Sequence, residues 1–301
     1  MADLSRWARA AIEQVARLGT GGPLDRALRI TINFHPDRPA GGRTVIERLA
    51  DERVYRSQFE TGISNGGLTA HPGGDRWRWE RRIFAGAYDD APPVERPKYG
   101  ALNHRRLSVG GAVRFGSCHL RLDESALDRA TFCFPDSAAE PTAFGTAARC
   151  DLISRCDLIS RGDLTTAADA VAARPHPGRS EATSGGQLDG YVEAQVHGPI
   201  EMPGDVEAIV LDPCYAGTEV ERVARRAHPV LEWTEGRVLT VAELDRHPEF
   251  RGPDVITIGR DLAEEGMLTA RVIGDAARRG AADPQDLKRL WHLVARFGAS
   301  A

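Results

Sequence analysis

The sequence has almost no lysine, no long apolar run and no paired-cysteine pattern, and each absence excludes a class of protein. Lys98 and Lys288 are the only lysines among 39 basic residues, and 43 acidic residues bring the net charge to −4. Without a broad basic field, duplex nucleic acid is not an expected partner. No stretch of 18 apolar residues occurs, and the first residues lack an apolar signal core. We therefore expect a cytoplasmic protein with no membrane partner.

The cysteines and the missing signature motifs exclude several further classes. The five cysteines are odd in number and have no CxxC spacing, which argues against a disulfide framework or a zinc knuckle. The chain has no P-loop, no GxGxxG after a predicted strand, no GxSxG and no recognisable nucleic-acid module. What remains is a globular chain of 301 residues, 42% hydrophobic and 27% charged, long enough for one large domain with an accessory segment.

The spacing of apolar residues predicts an α+β protein. Helical spacing covers 3–18, 44–51, 220–226 and most of the last forty residues, with a break at 281–284. Strands are predicted at 28–34, 53–60, 114–122, 131–134, 206–211 and 229–233. The expected organisation is an N-terminal helix (1–24), an α+β domain (25–260) and a C-terminal helical segment (261–301). A short repeat at 149–164 and a linker at 174–187 form an insertion at about 149–187.

The segment around residues 191–200 carries the strongest chemical signal. Glu193, Gln195 and His197 alternate with small apolar residues, so all three polar side chains are predicted to share one face of a strand. A turn and a mostly apolar strand follow. Such a polar face is typical either of a solvated strand or of a strand that forms the floor of a cleft.

Five segments between residues 25 and 260 resemble an uncharacterised bacterial protein family that is known only as a domain of unknown function. They are long enough to be fairly specific, and they lie at 33–39, 55–68, 98–106, 114–117 and 193–199. The resemblance implies membership of that family but assigns no chemistry.

A more distant resemblance concerns three short motifs in chain order. Tyr55-Arg56, Phe115-Gly-Ser117 and Glu193-x-Gln195 look like the Arg–Ser–Glu pattern of the ADP-ribosyltransferase superfamily. The resemblance implies a split β-sheet core with N-terminal and C-terminal helical additions. It also implies NAD as substrate, cleaved at the nicotinamide–ribose bond. The ADP-ribose would pass to water or to an acceptor of unknown kind (protein, nucleic acid or small molecule), and a cognate inhibitor protein is a further conceivable partner.

The chain departs from that pattern at the last position, where Gln195 stands in place of the usual glutamate and Glu193 supplies the carboxylate. Some superfamily members with NAD-glycohydrolase activity are similar in using glutamine. Glu193 and Gln195, about 6.6 Å apart along a strand, are therefore the expected catalytic pair. The resemblance and the loop chemistry together give six candidates for binding NAD: Arg56 for phosphate, Ser117 for ribose, Tyr99 for stacking on nicotinamide, and His35, Arg38 and Asn65 in two loops for phosphate or ribose.

Two other functions fit the same residues. A metal-dependent phosphoesterase could use five nitrogen and oxygen ligands, although none has the helical spacing of a zinc motif: His35, Asp37, His71, Asp75 and His119. A non-catalytic nucleotide-binding module would keep the arginine and aromatic residues without needing Glu193. Purely structural interpretations also exist, because Arg56 can pair with Glu52 or Glu60 on the surface and the two loops can be simple turns.

Overall fold

The computed structural model describes residues 4–62, 70–160 and 188–301. The strands are β1 (Ile30–Phe34), β2 (Pro39–Ala40), β3 (Arg43–Thr44), β4 (Lys98–Leu102), β5 (Cys118–Leu122), β6 (Ala130–Phe134), β7 (Ala143–Thr146), β8 (Val192–Val196), β9 (Val206–Leu211), β10 (Leu231–Trp233), β11 (Leu239–Thr240) and β12 (Met267–Leu268). The helices are α1 (Arg6–Leu18), α2 (Val45–Glu52), α3 (Gln58–Thr61), α4 (Asp75–Ile83), α5 (Leu152–Ser160), α6 (Glu219–Ala227), α7 (Val241–Leu244), α8 (Pro248–Arg251), α9 (Pro253–Leu262), α10 (Ala270–Arg279) and α11 (Pro284–Phe297).

An eight-stranded mixed sheet forms the centre of the molecule. Its strand order is β10-β9-β5-β1-β4-β8-β6-β7. β9 and β10 are parallel, and the other neighbouring pairs are antiparallel. The expected combination of a large sheet and several helices is therefore present. No described helix is long and apolar enough to cross a membrane.

The central strands bury both of their faces, and the two faces differ in chemistry. One set of alternating side chains is apolar and joins residues of α6 and α9–α11 in the main hydrophobic core, as Ile32, Leu120 and Ala194 do. The opposite set is polar yet buried: Thr31, Asn33, His119, Thr131, Glu193 and Gln195. Buried polar groups are costly unless they form hydrogen bonds, so this polar face needs a cover that supplies partners.

The strand predicted at 53–60 is wrong, and a capping box is the reason. Ser57 accepts a hydrogen bond from the backbone of Glu60, and the Glu60 side chain accepts one from the backbone of Ser57, which starts α3. Only Val54 forms a bridge, to Glu201. Arg56 therefore lies just before a short helix and not on a strand of the sheet.

The strand predicted at 114–122 begins later, because the Phe-Gly-Ser motif is a tight turn. Residues Val113–Phe115 form one turn of 3₁₀ helix, and β5 starts at Cys118. Gly116 has φ of +159°, and a Cβ there would lie 2.1 Å from the carbonyl carbon of Phe34. The glycine is required by its close approach to β1, which explains this part of the motif without any chemistry.

Most other predicted elements are confirmed to within a few residues. They are the helices at 6–18, 45–52, 219–227, 270–279 and 284–297 and the strands at 30–34, 130–134, 206–211 and 231–233. α5 covers part of the repeat at 149–164. The third copy of the repeat and the linker at 174–187 lie outside the described residues.

We expect Gly116→Ala to destabilise the protein by about 3 kcal/mol or more, because the added methyl group overlaps the β1 backbone. The free energy of unfolding, measured in urea, checks this. Gly22→Ala is the matched control, because a Cβ at Gly22 would meet no atom within 4 Å. Equal stability of the two variants would contradict the close-approach explanation.

Candidate functional site

β8 places Glu193 and Gln195 on one face, as their alternation with small apolar residues predicts. Gln195 Nε2 donates to Glu193 Oε1 at 2.9 Å, and Ser137 Oγ donates to Glu193 Oε2 at 3.0 Å. Gln195 is fully buried, whereas Glu193 is 6% exposed. Both predicted catalytic residues are thus buried, Gln195 completely and Glu193 almost completely.

A chain of hydrogen bonds points toward Glu193. Thr131 Oγ1 donates to Gln195 Oε1 at 2.9 Å and lies 3.0 Å from His197 Nε2, and Tyr88 Oη lies 2.7 Å from His197 Nδ1. The single hydroxyl proton of Thr131 is used toward Gln195, so His197 Nε2 must carry the proton that reaches Thr131. His197 Nδ1 then accepts from Tyr88. Every donor in the chain from Tyr88 to Gln195 is directed toward the carboxylate.

The charges around this chain are set by burial. Burial lowers the pKa of His197 to about 3, and the charges of Lys98 and Arg129 act in the same direction, so the imidazole is neutral. Burial raises the pKa of Glu193, while the charge of Arg76 acts in the opposite direction. The site is therefore a carboxylate held in a dry environment by neutral donors and one nearby cation.

That cation comes from α4 and lies over an aromatic ring. The guanidinium carbon of Arg76 is 4.0 Å from the ring centroid of Tyr99, and Nη1 donates to Ser137 Oγ at 2.8 Å. Tyr99 is paired with Gln195 across β4 and β8, and its hydroxyl donates to buried Glu80 at 2.9 Å. We call Glu193, Gln195, Ser137, Arg76 and Tyr99 the carboxylate centre. It holds a planar cation between an aromatic ring and a serine that is bonded to the carboxylate.

A second group consists of four cationic side chains and one neutral histidine, and we call it the cation cluster. Its members come from the loop after β1, the turn before β5, α8 and α11: Arg38, Arg114, Arg251, Lys288 and His292. Trp291 fixes α11 in place, because its Nε1 donates to Val113 O at 2.9 Å and its ring packs edge-on against His35 at 5.0 Å.

The members of the cation cluster repel one another. Burial lowers the pKa of Lys288 to about 8, and the charges of Arg114, Arg38 and Arg251 contribute. Burial and the same kind of neighbours hold the pKa of His292 well below its usual range. His292 is 3% exposed, and both of its ring nitrogens are without a hydrogen-bond partner. Within the described ranges, Lys288 has no hydrogen bond or ion pair.

Tyr191 lies between the two groups. Burial raises its pKa, with contributions from Asp136 and Glu193, and the charge of Arg114 acts against them. The Tyr191 ring packs edge-on against Phe115, next to Arg114, at 5.7 Å. Continuing the strand register from Glu193 through β4 to the end of β1 places the Cα of His35 roughly 16 Å away. Because His35 packs against Trp291, the helix that carries Lys288 and His292 lies at that end of β1.

The predicted NAD-binding residues fall in different surroundings. His35, Arg38 and Arg56 line one cleft of about 110 Å³. Arg56 pairs there with Glu52 and Glu60, which is the structural alternative that the sequence left open. Burial lowers the pKa of His35 to about 3.

The remaining candidates are separated from that cleft. Ser117 is 2% exposed and lies 3.6 Å from Cys118 Sγ, where β5 begins beside the end of β1. Tyr99 belongs to the carboxylate centre. Asn65 lies outside the described residues.

The proposed metal ligands do not come together. Across residues 4–62, 70–160 and 188–301, no group of three or more His, Cys, Asp or Glu side chains could hold a metal ion. Asp37 contacts Arg278 at 3.3 Å and packs on Gly274, while His119 packs on Gly110. The phosphoesterase alternative therefore gains no ligand set from the described part of the chain.

Sequence reasoning missed residues on both sides of the site. Arg76 and Ser137 are not among the predicted site residues. Arg76 is buried by the packing of α4 and Ser137 by that of the turn before β7, and neighbouring residues in the sequence do not show this packing. Lys288 did carry a signal, since it is one of only two lysines in an arginine-rich chain. His292 follows it by one helical turn, so the two share a face of α11.

We expect buried His197 to make the protein less stable as the pH falls. Its pKa is about 3 in the folded state against an ordinary value of 6.5. The unfolded chain therefore binds a proton first, and stability that is present above pH 6.5 is lost as the pH falls toward 3. Replacement by Gln should reduce the slope of unfolding free energy against pH by about 1.4 kcal/mol per pH unit in this window. Urea unfolding at several pH values measures the slope, and a slope equal to that of the wild type would contradict the assignment.

Comparison with known proteins places most of the chain in one family. The family model described as "Protein of unknown function (DUF3626)" matches residues 29–297. The match covers every residue of the carboxylate centre and the cation cluster, and it extends past the expected limit at residue 260 through α11. No curated protein matches the chain. The family description names no activity and no link to the ADP-ribosyltransferases, but the span of the match shows that the chain belongs to the DUF3626 family.

Proposed function

We propose that this protein cleaves NAD at the nicotinamide–ribose bond and passes ADP-ribose to an acceptor or to water. The observation that carries the proposal is the carboxylate centre. Glu193 is held at both oxygens on a buried face, and beside it an aromatic ring already stacks with a planar cation. The oxidised nicotinamide ring of NAD is also a planar cation.

The positions of the motif-bearing strands support the same reaction. β1, β4 and β8 are neighbours in the sheet. They bring His35, Tyr99 and Glu193 to one region, although 158 residues separate the first from the last by number. The strand order thus gathers three of the expected site residues from distant parts of the sequence, whereas Arg56, the arginine of the ADP-ribosyltransferase-like pattern, lies outside the sheet before α3.

The chemistry requires negative charge near the ribose. When the C1′–N bond breaks, its electron pair goes to the nicotinamide nitrogen, and positive charge moves to C1′ and the ring oxygen. A carboxylate in a dry, preorganised site stabilises that charge more strongly than one in water. The acceptor then donates a lone pair to C1′ and releases its proton to solvent. With water as acceptor, the products are ADP-ribose, nicotinamide and a proton.

The two predicted catalytic residues take different roles in this proposal. Glu193 supplies the negative charge that the reaction requires, so it is the catalytic residue. Gln195 is fully buried and bridges Thr131 and Glu193, so it is a positioning residue that fixes the carboxylate. This division also explains why glutamine suits position 195: a second carboxylate 2.9 Å from the first would repel it.

Substrate entry involves Arg76. Its guanidinium group covers Tyr99 and is hydrogen-bonded to Ser137, so a nicotinamide ring can stack on Tyr99 only if Arg76 moves aside. Tyr99 is half-buried, which leaves a side from which the ring can approach. If the nicotinamide ring takes the place of the Arg76 guanidinium group, the positive charge beside Glu193 stays the same.

We expect Glu193→Gln to reduce nicotinamide release from NAD by at least about 10²-fold, because the variant keeps the shape but loses the charge. Release is measured by chromatography, with cell lysate added as a source of acceptors. Glu13→Gln is the matched control, since Glu13 is exposed on α1, and it should release nicotinamide at the wild-type rate.

Two results would count against the proposal. Equal rates for wild type and Glu193→Gln would remove Glu193 from the reaction. Binding of NAD by the wild type, with no release at high protein concentration, would favour the non-catalytic nucleotide-binding module.

A further inference from the structure

We infer that the cation cluster is a binding site for a diphosphate group, and that the C-terminal helix α11 completes it. The inference deepens the proposed function, because NAD carries a diphosphate, but its test does not depend on NAD cleavage. Arg56, which was expected to hold phosphate, already has two carboxylate partners. Within the cation cluster, Arg114 also pairs with a carboxylate, that of Asp189, so the inference rests on Lys288 and His292.

The geometry joins four separate elements at one place. Arg38 follows β1, Arg114 precedes β5, and Lys288 and His292 lie one turn apart on α11. The bond from Trp291 Nε1 to Val113 O holds α11 against the turn that carries Arg114. Arg289 Nη1 donates to the carbonyl of Arg251 at 3.3 Å, which ties α8 to the same helix. Contacts between separate elements of the tertiary structure therefore hold the cluster in place.

Two members of the cluster lack the partners that burial requires. The His292 ring is almost completely buried, with both nitrogens unpaired. Lys288 is half-buried and makes no hydrogen bond or ion pair among the described residues. Several arginines elsewhere on the C-terminal helices do have carboxylate partners, as Arg271 has in Glu264 and Asp275. Buried polar groups without partners are expected where a ligand supplies the missing hydrogen bonds.

The residue types in the cation cluster indicate which kind of ligand it binds. Arginine forks and a lysine point charge are the usual donors to phosphate oxygens. Lysine is especially informative here, because the chain uses arginine at 37 of its 39 basic positions. Since Lys288 and His292 are recessed and the whole chain is acidic, a flat membrane or a nucleic-acid duplex cannot reach them together. A small diphosphate anion, carried by a nucleotide or free in solution, fits the spread of donors.

We expect Lys288→Ala to weaken the binding of inorganic pyrophosphate to the full-length protein by about tenfold or more, as measured by isothermal titration calorimetry. Lys288→Arg should bind within about threefold of the wild type. Arg279→Ala is the matched control, because Arg279 is an exposed cation at the end of the neighbouring helix α10, and it should bind like the wild type. ADP and NAD, titrated in parallel, show whether a nucleotide is preferred to the free anion.

The thermal unfolding midpoint separates a binding role from a structural role. Without anion, Lys288→Ala should unfold at a higher temperature than the wild type, because one repelled charge has been removed. Added pyrophosphate should then raise the midpoint of the wild type more than that of the variant. A residue that merely supported the fold would show a lower midpoint when truncated.

The inference is overturned if pyrophosphate does not bind saturably to the wild type, or if Lys288→Ala binds it equally well. Glu193→Gln distinguishes this failure from failure of the proposed function. That variant should bind pyrophosphate like the wild type whether or not NAD is cleaved. Tight pyrophosphate binding with no nicotinamide release would uphold the diphosphate site and contradict only the NAD-cleavage proposal.

Discussion

The burial of Glu193 is the constraint on which the polar half of this fold depends. A carboxylate on the inner face of a central strand must receive hydrogen bonds, or folding leaves an unpaired charge in a dry environment. Gln195 and Ser137 each supply one. Thr131 of β6 hydrogen-bonds to Gln195, and Arg76 of α4 hydrogen-bonds to Ser137, so both of these elements help to hold the carboxylate in place. Much of the cover over the sheet can be understood as support for one side chain.

The same hydrogen-bond network restricts which residue types can occupy the polar face. The Thr131 hydroxyl has one proton, which it donates to Gln195. His197 Nε2 must therefore donate to Thr131, and His197 Nδ1 accepts from Tyr88. An apolar residue at any of these positions would leave a buried neighbour unpaired, at about 1–3 kcal/mol. A solvated strand would impose no such conditions, so the solvated interpretation of the 191–200 segment is wrong: the face is buried and hydrogen-bonded.

How much of this could be predicted from sequence depended on whether the information was local. The alternation in β8 is local, and it correctly placed Glu193 and Gln195 on one face. The Ser57-x-x-Glu60 capping box is also local, but the strand at 53–60 was predicted from alternation alone, and that prediction is wrong. The need for Gly116 depends on contact with Phe34, which is 82 positions away by number, and the position of Arg76 depends on how α4 crosses the sheet. Such contacts are set by tertiary packing and leave little trace in neighbouring residues.

The separation of charge is the feature that purely structural explanations account for least well. A carboxylate with a raised pKa lies on one side of Tyr191, and cations with lowered pKa values lie on the other. Pairing the two groups directly would have relieved both, since opposite charges in a dry interior attract strongly. The fold instead holds them apart, so the field of Glu193 is met by Arg76, and the field of Lys288 by no acidic partner among the described residues. A molecule that is positive at one end and doubly negative a short distance away would satisfy both fields at once. Oxidised NAD, with its nicotinamide ring and its diphosphate, has that arrangement, and this match connects the two proposals to a single ligand.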